Sequence, residues 1–399
     1  MFIYLCMRIG IIGIGQAGGK ISDRLVMYSS ETGSNFVRDC IAINTAHQDL
    51  NGLKNIPEDK KLLIGESMVK GNGVGANNKK GRDVMINEIN EVIHKINTMP
   101  THELDAFVII SSLGGGTGSG GMPVLARELK EKFSEPIYGI GVLPSQKEGK
   151  IYTLNAARSL QPCVEQLDNL MIFDNDEWSR GEGSIEDWYA ELNDILAKRF
   201  GTIFASGEIR DNEDVGESVV DASEVINTLD CGGISTIGYA SCTLNEEIVN
   251  PGLIKRLKGG VNVDESKATM RISSLTEKSI SGNLTIPANV SSTERALVII
   301  SGPKKFMMRK GMEEGRRFIE DKTDCMEVRG GDYPINDIAE ISVTVILSGV
   351  HDLPRVQELQ KIAVESNTKI EEIRKERGDK LDKLLENEKS DELDNLLDI

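Results

Sequence analysis

The run Leu113-Gly114-Gly115-Gly116-Thr117-Gly118-Ser119-Gly120-Gly121 restricts what this chain can fold into more than any other stretch. The residues before it, Asp105-Ala106-Phe107-Val108-Ile109-Ile110-Ser111-Ser112, form an apolar, β-rich run that reads as a buried strand. Met122-Pro123-Val124-Leu125-Ala126-Arg127-Glu128-Leu129-Lys130 follows with a helical pattern and Pro in its first turn. The unit is therefore strand, glycine loop, helix N-terminus. Glycine has no Cβ, so the backbone can take left-handed angles and come close to a ligand. Successive N–H groups then converge, the helix dipole adds partial positive charge, and the resulting nest suits a phosphate chain. A Gly/Ser linker would be longer and flanked by polar sequence.

A second glycine turn opens the chain. Ile9-Gly10-Ile11-Ile12 reads as a strand, Gly13-Ile14-Gly15-Gln16-Ala17-Gly18-Gly19-Lys20 follows, and a helix carrying Ile21, Leu25 and Val26 begins there. Gly13, Gly15 and Gly18 satisfy GxGxxG, so a dinucleotide site has to be weighed. Such a site wants an acid at the end of the next strand for the ribose, and Cys40-Ile41-Ala42-Ile43 ends in Asn44-Thr45 instead. Lys20 is followed by Ile21, and the glycine spacing does not fit, so the turn is no Walker A loop. Asn44-Thr45-Ala46 alone would be a helix cap or turn. A third cluster, Lys70-Gly71-Asn72-Gly73-Val74-Gly75-Ala76-Asn77, alone would be a surface turn. Residues 81–96 then read as an amphipathic helix with Val84, Ile89, Val92, Ile93 and Ile96 inward.

The 399 residues are 39% apolar, enough for two packed domains. A net charge of -17 argues against a nucleic-acid binder, which would need basic patches to release counterions. Cys6, Cys40, Cys163, Cys231, Cys242 and Cys325 form no CxxC pair and read as reduced thiols of a cytoplasmic protein. The four His lack close spacing, so no metal site is expected from side chains alone. There is no apolar run of about 20 residues to cross a membrane. Residues 1–6 merge at once into the first strand, which argues against a signal peptide and leaves Met7 as an alternative start.

Gly114 to Gly120, GGGTGSG, resembles the signature loop of the tubulin/FtsZ superfamily without a mismatch. The resemblance implies a site for GTP/GDP with Mg2+. Gly15, Gln16, Ala17 and Gly18 match the family's first phosphate loop, GxGQxGG, and Asn44 falls in its second. Gly73 and Ala76 fall in the loop that senses the terminal phosphate. Gly114, Gly115, Gly116, Thr117, Gly118 and Ser119 belong to the signature loop itself. Glu148 matches the carboxylate that binds the ribose, while Tyr152 stands where FtsZ has an Arg. Asn175 matches the amide that reads the guanine edge, for which it offers both donor and acceptor. Residues 184–204 carry apolar side chains at helical spacing and resemble the long helix joining the family's two domains. On it, Tyr189 and Asn193 fall where the family stacks an aromatic on the base and hydrogen-bonds its edge; they share one helix face.

Beyond that helix, FtsZ carries NVDFADV where this chain has Val219-Val220-Asp221-Ala222-Ser223-Glu224-Val225. Asp221 keeps the first acid, Glu224 replaces the second, and the Asn has become Val. This combination resembles the archaeal CetZ branch, as do Gln16 to Lys20, Ile151 to Ser159 and Phe173 to Asp176. The resemblance implies that Asp221 and Glu224 are the catalytic acids and that they act on the nucleotide of a neighbouring copy in a head-to-tail homopolymer. It implies cell-shape control, with cell division as the alternative. Two readings of other classes remain: an NAD-dependent oxidoreductase, resting on GxGxxG alone, and a filament scaffold that holds GTP without hydrolysing it.

The expected fold is α/β: a Rossmann-like GTPase domain with a parallel sheet over residues 1–183, a central helix over 184–206, the catalytic loop and helix start over 207–228, and a smaller α/β domain over 229–364. Residues 234–240, 296–300 and 340–347 read as strands of a separate sheet, residues 303–322 hold a helix, and residues 250–289 read as irregular loop. Residues 365–399 form a highly charged, helix-prone tail, read as solvated, with a peripheral membrane or adaptor contact as the other possibility.

Overall fold

A computed structural model describes residues 6–178, 184–207, 220–244, 263–325, 327–335, 338–366 and 368. Met1, Val219 and nearly all of the charged tail lie outside the described residues. The strands are β1 (Ile9–Ile14), β2 (Val37–Asn44), β3 (Lys61–Leu63), β4 (Ala106–Ser112), β5 (Ile137–Leu143), β6 (Asn169–Asp174), β7 (Ile234–Thr243), β8 (Arg295–Gly302), β9 (Glu327–Pro334) and β10 (Glu340–Ser348). The helices are α1 (Gly15–Glu31), α2 (His47–Asn51), α3 (Glu66–Val69), α4 (Asn78–Asn87), α5 (Ile89–Ile96) and α6 (Thr117–Lys132) in the first part. They continue as α7 (Lys150–Gln166), α8 (Asn175–Trp178), α9 (Ile185–Ala205), α10 (Ala222–Leu229), α11 (Glu265–Ile280) and α12 (Arg309–Lys322).

Among the described residues the strands form one sheet in the order β3-β2-β1-β4-β5-β6-β7-β10-β8-β9. The pairs from β3 to β7 are parallel, β7/β10 and β10/β8 are antiparallel, and β8/β9 is parallel. Parallel strands covered on both faces have no solvent side, which is why β1, β5 and β6 are buried along their whole length. Successive side chains still alternate between faces. Ile12, Ile43, Phe107 and Ile109 pack with Met85, Leu125 and Leu160 from α4, α6 and α7. Ile11, Ala42, Val108 and Ile110 pack on the other face with Ile21, Leu196 and Phe200 from α1 and α9.

The order β3-β2-β1-β4-β5-β6 is that of a doubly wound sheet. The chain reverses its winding between β1 and β4, so α1 and α6 leave their strands toward opposite faces. In such sheets ligands bind at the carboxyl ends of the strands, beside this reversal.

Several elements differ from their sequence reading. The strands expected as a separate sheet are joined to the first one, because Ile234 and Ser235 of β7 pair with Leu170 and Met171 of β6 before β7 continues along β10. The helix expected over residues 81–96 is two helices, broken at Glu88, whose φ of -111° and ψ of 16° are not helical. The stretch read as irregular contains α11, capped by Asp264, whose side chain accepts from the Lys267 N–H.

Candidate functional site

A cavity of about 1050 Å³ opens at the carboxyl ends of β1, β2, β4, β5 and β6, where Ile14, Asn44, Ser112, Val142 and Phe173 contribute to its wall. At one end α1 and α6 begin side by side. Neither has a side-chain cap or an acid in its first turn. Gly15 starts α1 at φ +75°, and a Cβ there would lie 3.2 Å from the Gly118 backbone nitrogen. Two uncapped helix N-termini this close place two partial positive charges and several free N–H groups on one spot, which an anion would satisfy. Gln16, Ala17, Gly115, Gly116 and Thr117 complete this wall.

The loop over residues 70–76, with Gly73 and Ala76 in the wall, closes the same end. Its backbone is left-handed at Lys70, Gly71, Gly73, Gly75 and Ala76. For Lys70 and Ala76, which carry a Cβ, that costs on the order of 1 kcal/mol each and has to be imposed by neighbours. Those neighbours are visible. The His47 N–H donates to the Gly71 carbonyl at 3.0 Å, and the Gly73 N–H donates to the Thr45 carbonyl at 3.0 Å. The buried Asn155 amide donates to the carbonyls of Ala76 at 2.7 Å and Gly114 at 3.0 Å, tying this loop to the signature loop. The Thr45 and Thr117 hydroxyls, 2.7 Å apart, tie the second loop to it as well. Asp49 accepts from both the Gln16 and the Asn44 amides at 3.1 Å, so its carboxylate is already engaged.

The other end carries a carboxylate, two amides and a phenol. Glu148 accepts from the Ser145 N–H at 2.9 Å and from the Asn175 amide at 3.2 Å. Tyr189 hydrogen-bonds to the same carboxylate; burial, with the Glu148 charge adding to it, pushes its phenol up to about 12. Asn193 lies on the wall one turn further along α9, and the Trp188 ring packs 4.6 Å from that of Tyr189, centroid to centroid.

Of the residues singled out in sequence, three shape the loops instead of lining the cavity. A Cβ on Gly18 would fall 2.2 Å from the Ile110 carbonyl oxygen, so this glycine lets α1 sit against β4. Gly114 packs on Pro144, and the Ser119 hydroxyl donates to the Gly115 carbonyl. Conversely, Lys147 and Trp188 line the wall and were not singled out. Trp188 could be read only as one more apolar position of an amphipathic helix, and nothing local marks the lysine.

Asp221 and Glu224 stand elsewhere. The Asp221 carboxylate caps α10, accepting from the Glu224 N–H at 3.1 Å. Glu224 lies 3.6 Å from Arg329 of β9, and burial raises its carboxyl while Arg329 opposes the rise. The last carbonyl of α10, that of Leu229, accepts from Asn169 at 3.0 Å. Asn169 is the first residue of β6, whereas the cavity lies beyond its last, Asp174. Six strand residues put about 17 Å between those ends. Among the described residues, no three His, Cys, Asp or Glu side chains group as a metal site.

Residues 8–181 match a family model described as Tubulin/FtsZ family, GTPase domain, and residues 181–365 match one described as Tubulin-like CetZ, C-terminal domain. Tubulin-like protein CetZ1 of Haloferax volcanii is 50% identical over 373 residues, covering 92% of this chain and 94% of that one. Two solved structures from the same organism superpose on the fold. A GDP-bound CetZ1 monomer has a TM-score of 0.80 at 45% identity, covering 90% of this chain and 100% of that one. A GTPgS-bound CetZ2 protofilament has a TM-score of 0.80 at 35% identity, covering 92% of this chain and 100% of that one.

Proposed function

Because this chain belongs to the tubulin/FtsZ family, in its CetZ branch, we propose that it binds GTP in the cavity, polymerises head to tail, and hydrolyses GTP only where a second copy covers the first. The observation that carries this reading is the separation of the parts. The carboxylates lining the cavity, Asp49 and Glu148, are both held by amides of their own chain. Asp221 and Glu224 lie on a helix anchored at the opposite strand ends. One copy thus offers phosphate-binding N–H groups, and the next offers acids.

Within this reading the N-terminal residues of α1 and α6 bind the phosphates, with Gly15, Gln16, Ala17 and Gly115 to Gly118 giving backbone N–H groups. Gly73 and Ala76 close over the terminal phosphate. Glu148 takes the ribose, Asn175 and Asn193 the guanine edge, and Tyr189 its face. Glu224 of the covering copy orients or deprotonates the attacking water, and Asp221 holds the start of its helix. Mg2+, when bound with the nucleotide, neutralises phosphate charge; the phosphates and water would supply most of its ligands, since the nearby Asp49 is already engaged. The GDP and GTPgS named for the Haloferax volcanii structures and the protofilament form of one of them support guanine nucleotide and self-association. A cytoplasmic filament acting in cell shape is the role that fits the branch.

Phosphate release measured across a dilution series tests the proposal. The rate per subunit should fall steeply as copies separate. A rate per subunit that stays constant on dilution would place all the catalytic groups in one chain and overturn it.

A further inference from the structure

The base end of the cavity is held from behind by Arg355, far away in sequence and 7% exposed. Its guanidinium donates through Nη2 to the Pro144 carbonyl at 3.2 Å and through Nη1 to Glu358 at 2.7 Å, while Nε lies 3.5 Å from Asp174 as an ion pair without a hydrogen bond. Pro144 follows the last residue of β5, and Asp174 is the last of β6. One planar cation therefore clamps the ends of two adjacent strands immediately before each turns into the wall of the cavity.

From Asp174 a continuous set of hydrogen bonds runs into that wall. Asp174 accepts from the Asp176 N–H at 3.1 Å. Asp176 accepts from the Ser145 hydroxyl at 2.6 Å and the Gln146 N–H at 3.2 Å. Ser145 in turn donates its N–H to Glu148, the acceptor of the Asn175 amide. We infer that Arg355 is a positioning residue. By fixing Pro144 against Asp174 it sets the spacing of Glu148 and Asn175, and through them the selectivity of the cavity for a purine nucleoside over a bare polyphosphate. This rests on reading the cavity as a guanine-nucleotide site. Arg355 lies on helical residues 354–366, whose far end meets α7, where Arg158 donates to the Ser366 hydroxyl at 3.1 Å. The segment leading to the charged tail thus bears directly on the wall that would meet the base.

The fork geometry matters, because a planar guanidinium can hydrogen-bond the Pro144 carbonyl and Glu358 at once while its charge faces Asp174. A loss of general stability would weaken every ligand alike, whereas misplacing Glu148 and Asn175 acts directly on the base end and reaches the helix N-termini only through the contact of Pro144 with Gly114. The experiment uses the full chain with a fluorescent GDP analogue as probe and inorganic tripolyphosphate as competitor. Arg355→Met combined with Asp174→Asn, which leaves no buried charge behind, should bind the GDP analogue at least about tenfold more weakly and tripolyphosphate as before. Arg355→Lys alone, keeping a cation without the fork, should fall between. Equal losses for both ligands, or no loss for either, would overturn the inference while the unsubstituted chain still binds GDP. If the unsubstituted chain binds neither probe, the nucleotide reading fails and the inference with it.

Discussion

The Glu224 carboxylate lies 3.6 Å from the Arg329 guanidinium of its own chain. The acid proposed to act on a neighbour is thus held at the surface in a defined direction, half-buried, beside a cation that opposes, without cancelling, the desolvation that raises its carboxyl. Replacing Glu224 by Gln keeps the shape and removes the base. Nucleotide affinity should stay within about twofold, while phosphate release falls by about 10²-fold or more, and filaments should persist longer by light scattering. Unchanged turnover would remove Glu224 from the chemistry.

Gly120 tests how the end of the cavity where α1 and α6 begin is packed. A Cβ there would fall 2.1 Å from the Asn78 carbonyl oxygen, a backbone atom of α4 that cannot rotate away. Gly120→Ala should push α4 from α6 and destabilise the chain by about 1–3 kcal/mol, read by urea unfolding, as overpacking does elsewhere. It should also weaken nucleotide binding, since Asn77 caps α4 and adjoins Ala76. Wild-type stability in this variant would mean that the two helices can part freely.

Asp174 gives a pH dependence whose sign is opposite to that of a usual buried ion pair. Burial raises its carboxyl to about 6, with the Asp176 and Glu177 charges adding to the rise and the Asp176 N–H and Arg355 opposing it. The unfolded carboxyl titrates near about 3.9, so the folded chain binds this proton more tightly. The contribution to stability is complete below about pH 4 and is lost as pH rises through about 6. Between those values the unsubstituted chain should lose up to about 1.4 kcal/mol per pH unit relative to Asp174→Asn. Urea unfolding of both at several pH values measures it; parallel profiles would show that Asp174 does not titrate there.

The chain has two tryptophans, and only Trp188 lines the cavity. Trp178 stacks beneath the Arg199 guanidinium, 4.1 Å from its ring centroid. GDP added to Trp178→Phe should therefore change tryptophan emission, and added to Trp188→Phe should not. The reverse assignment would place the base away from α9.

The end of the cavity where α1 and α6 begin was legible in sequence because its constraints are local. A loop that must bring backbone N–H groups together, or let two helices touch, needs glycine at fixed spacing, and the glycines at residues 15, 116 and 118 announce it. The sheet was legible for a similar reason, since strands covered on both faces read as short apolar runs interrupted mainly by glycine, as in Ile9–Ile14 and Ile137–Leu143. Helix α11 was missed because its buried face includes Ala268, Thr269, Thr276 and Ser279, which blur the apolar period. Arg355 was missed because nothing near it in sequence marks it: the Pro144 carbonyl that it binds is 211 residues away. Arg329, the partner of Glu224, was missed for the same reason.

Strand β6 gives the molecule a front and a back that cannot be exchanged. The Asn169 end anchors the helix that starts with the acids, and the Asp174 end opens on the pocket. Copies stacked in one direction along that strand, as the proposal requires, would make a column with unlike tips. At one tip the outermost pocket has no lid, and the triphosphate there would outlast every other in the column.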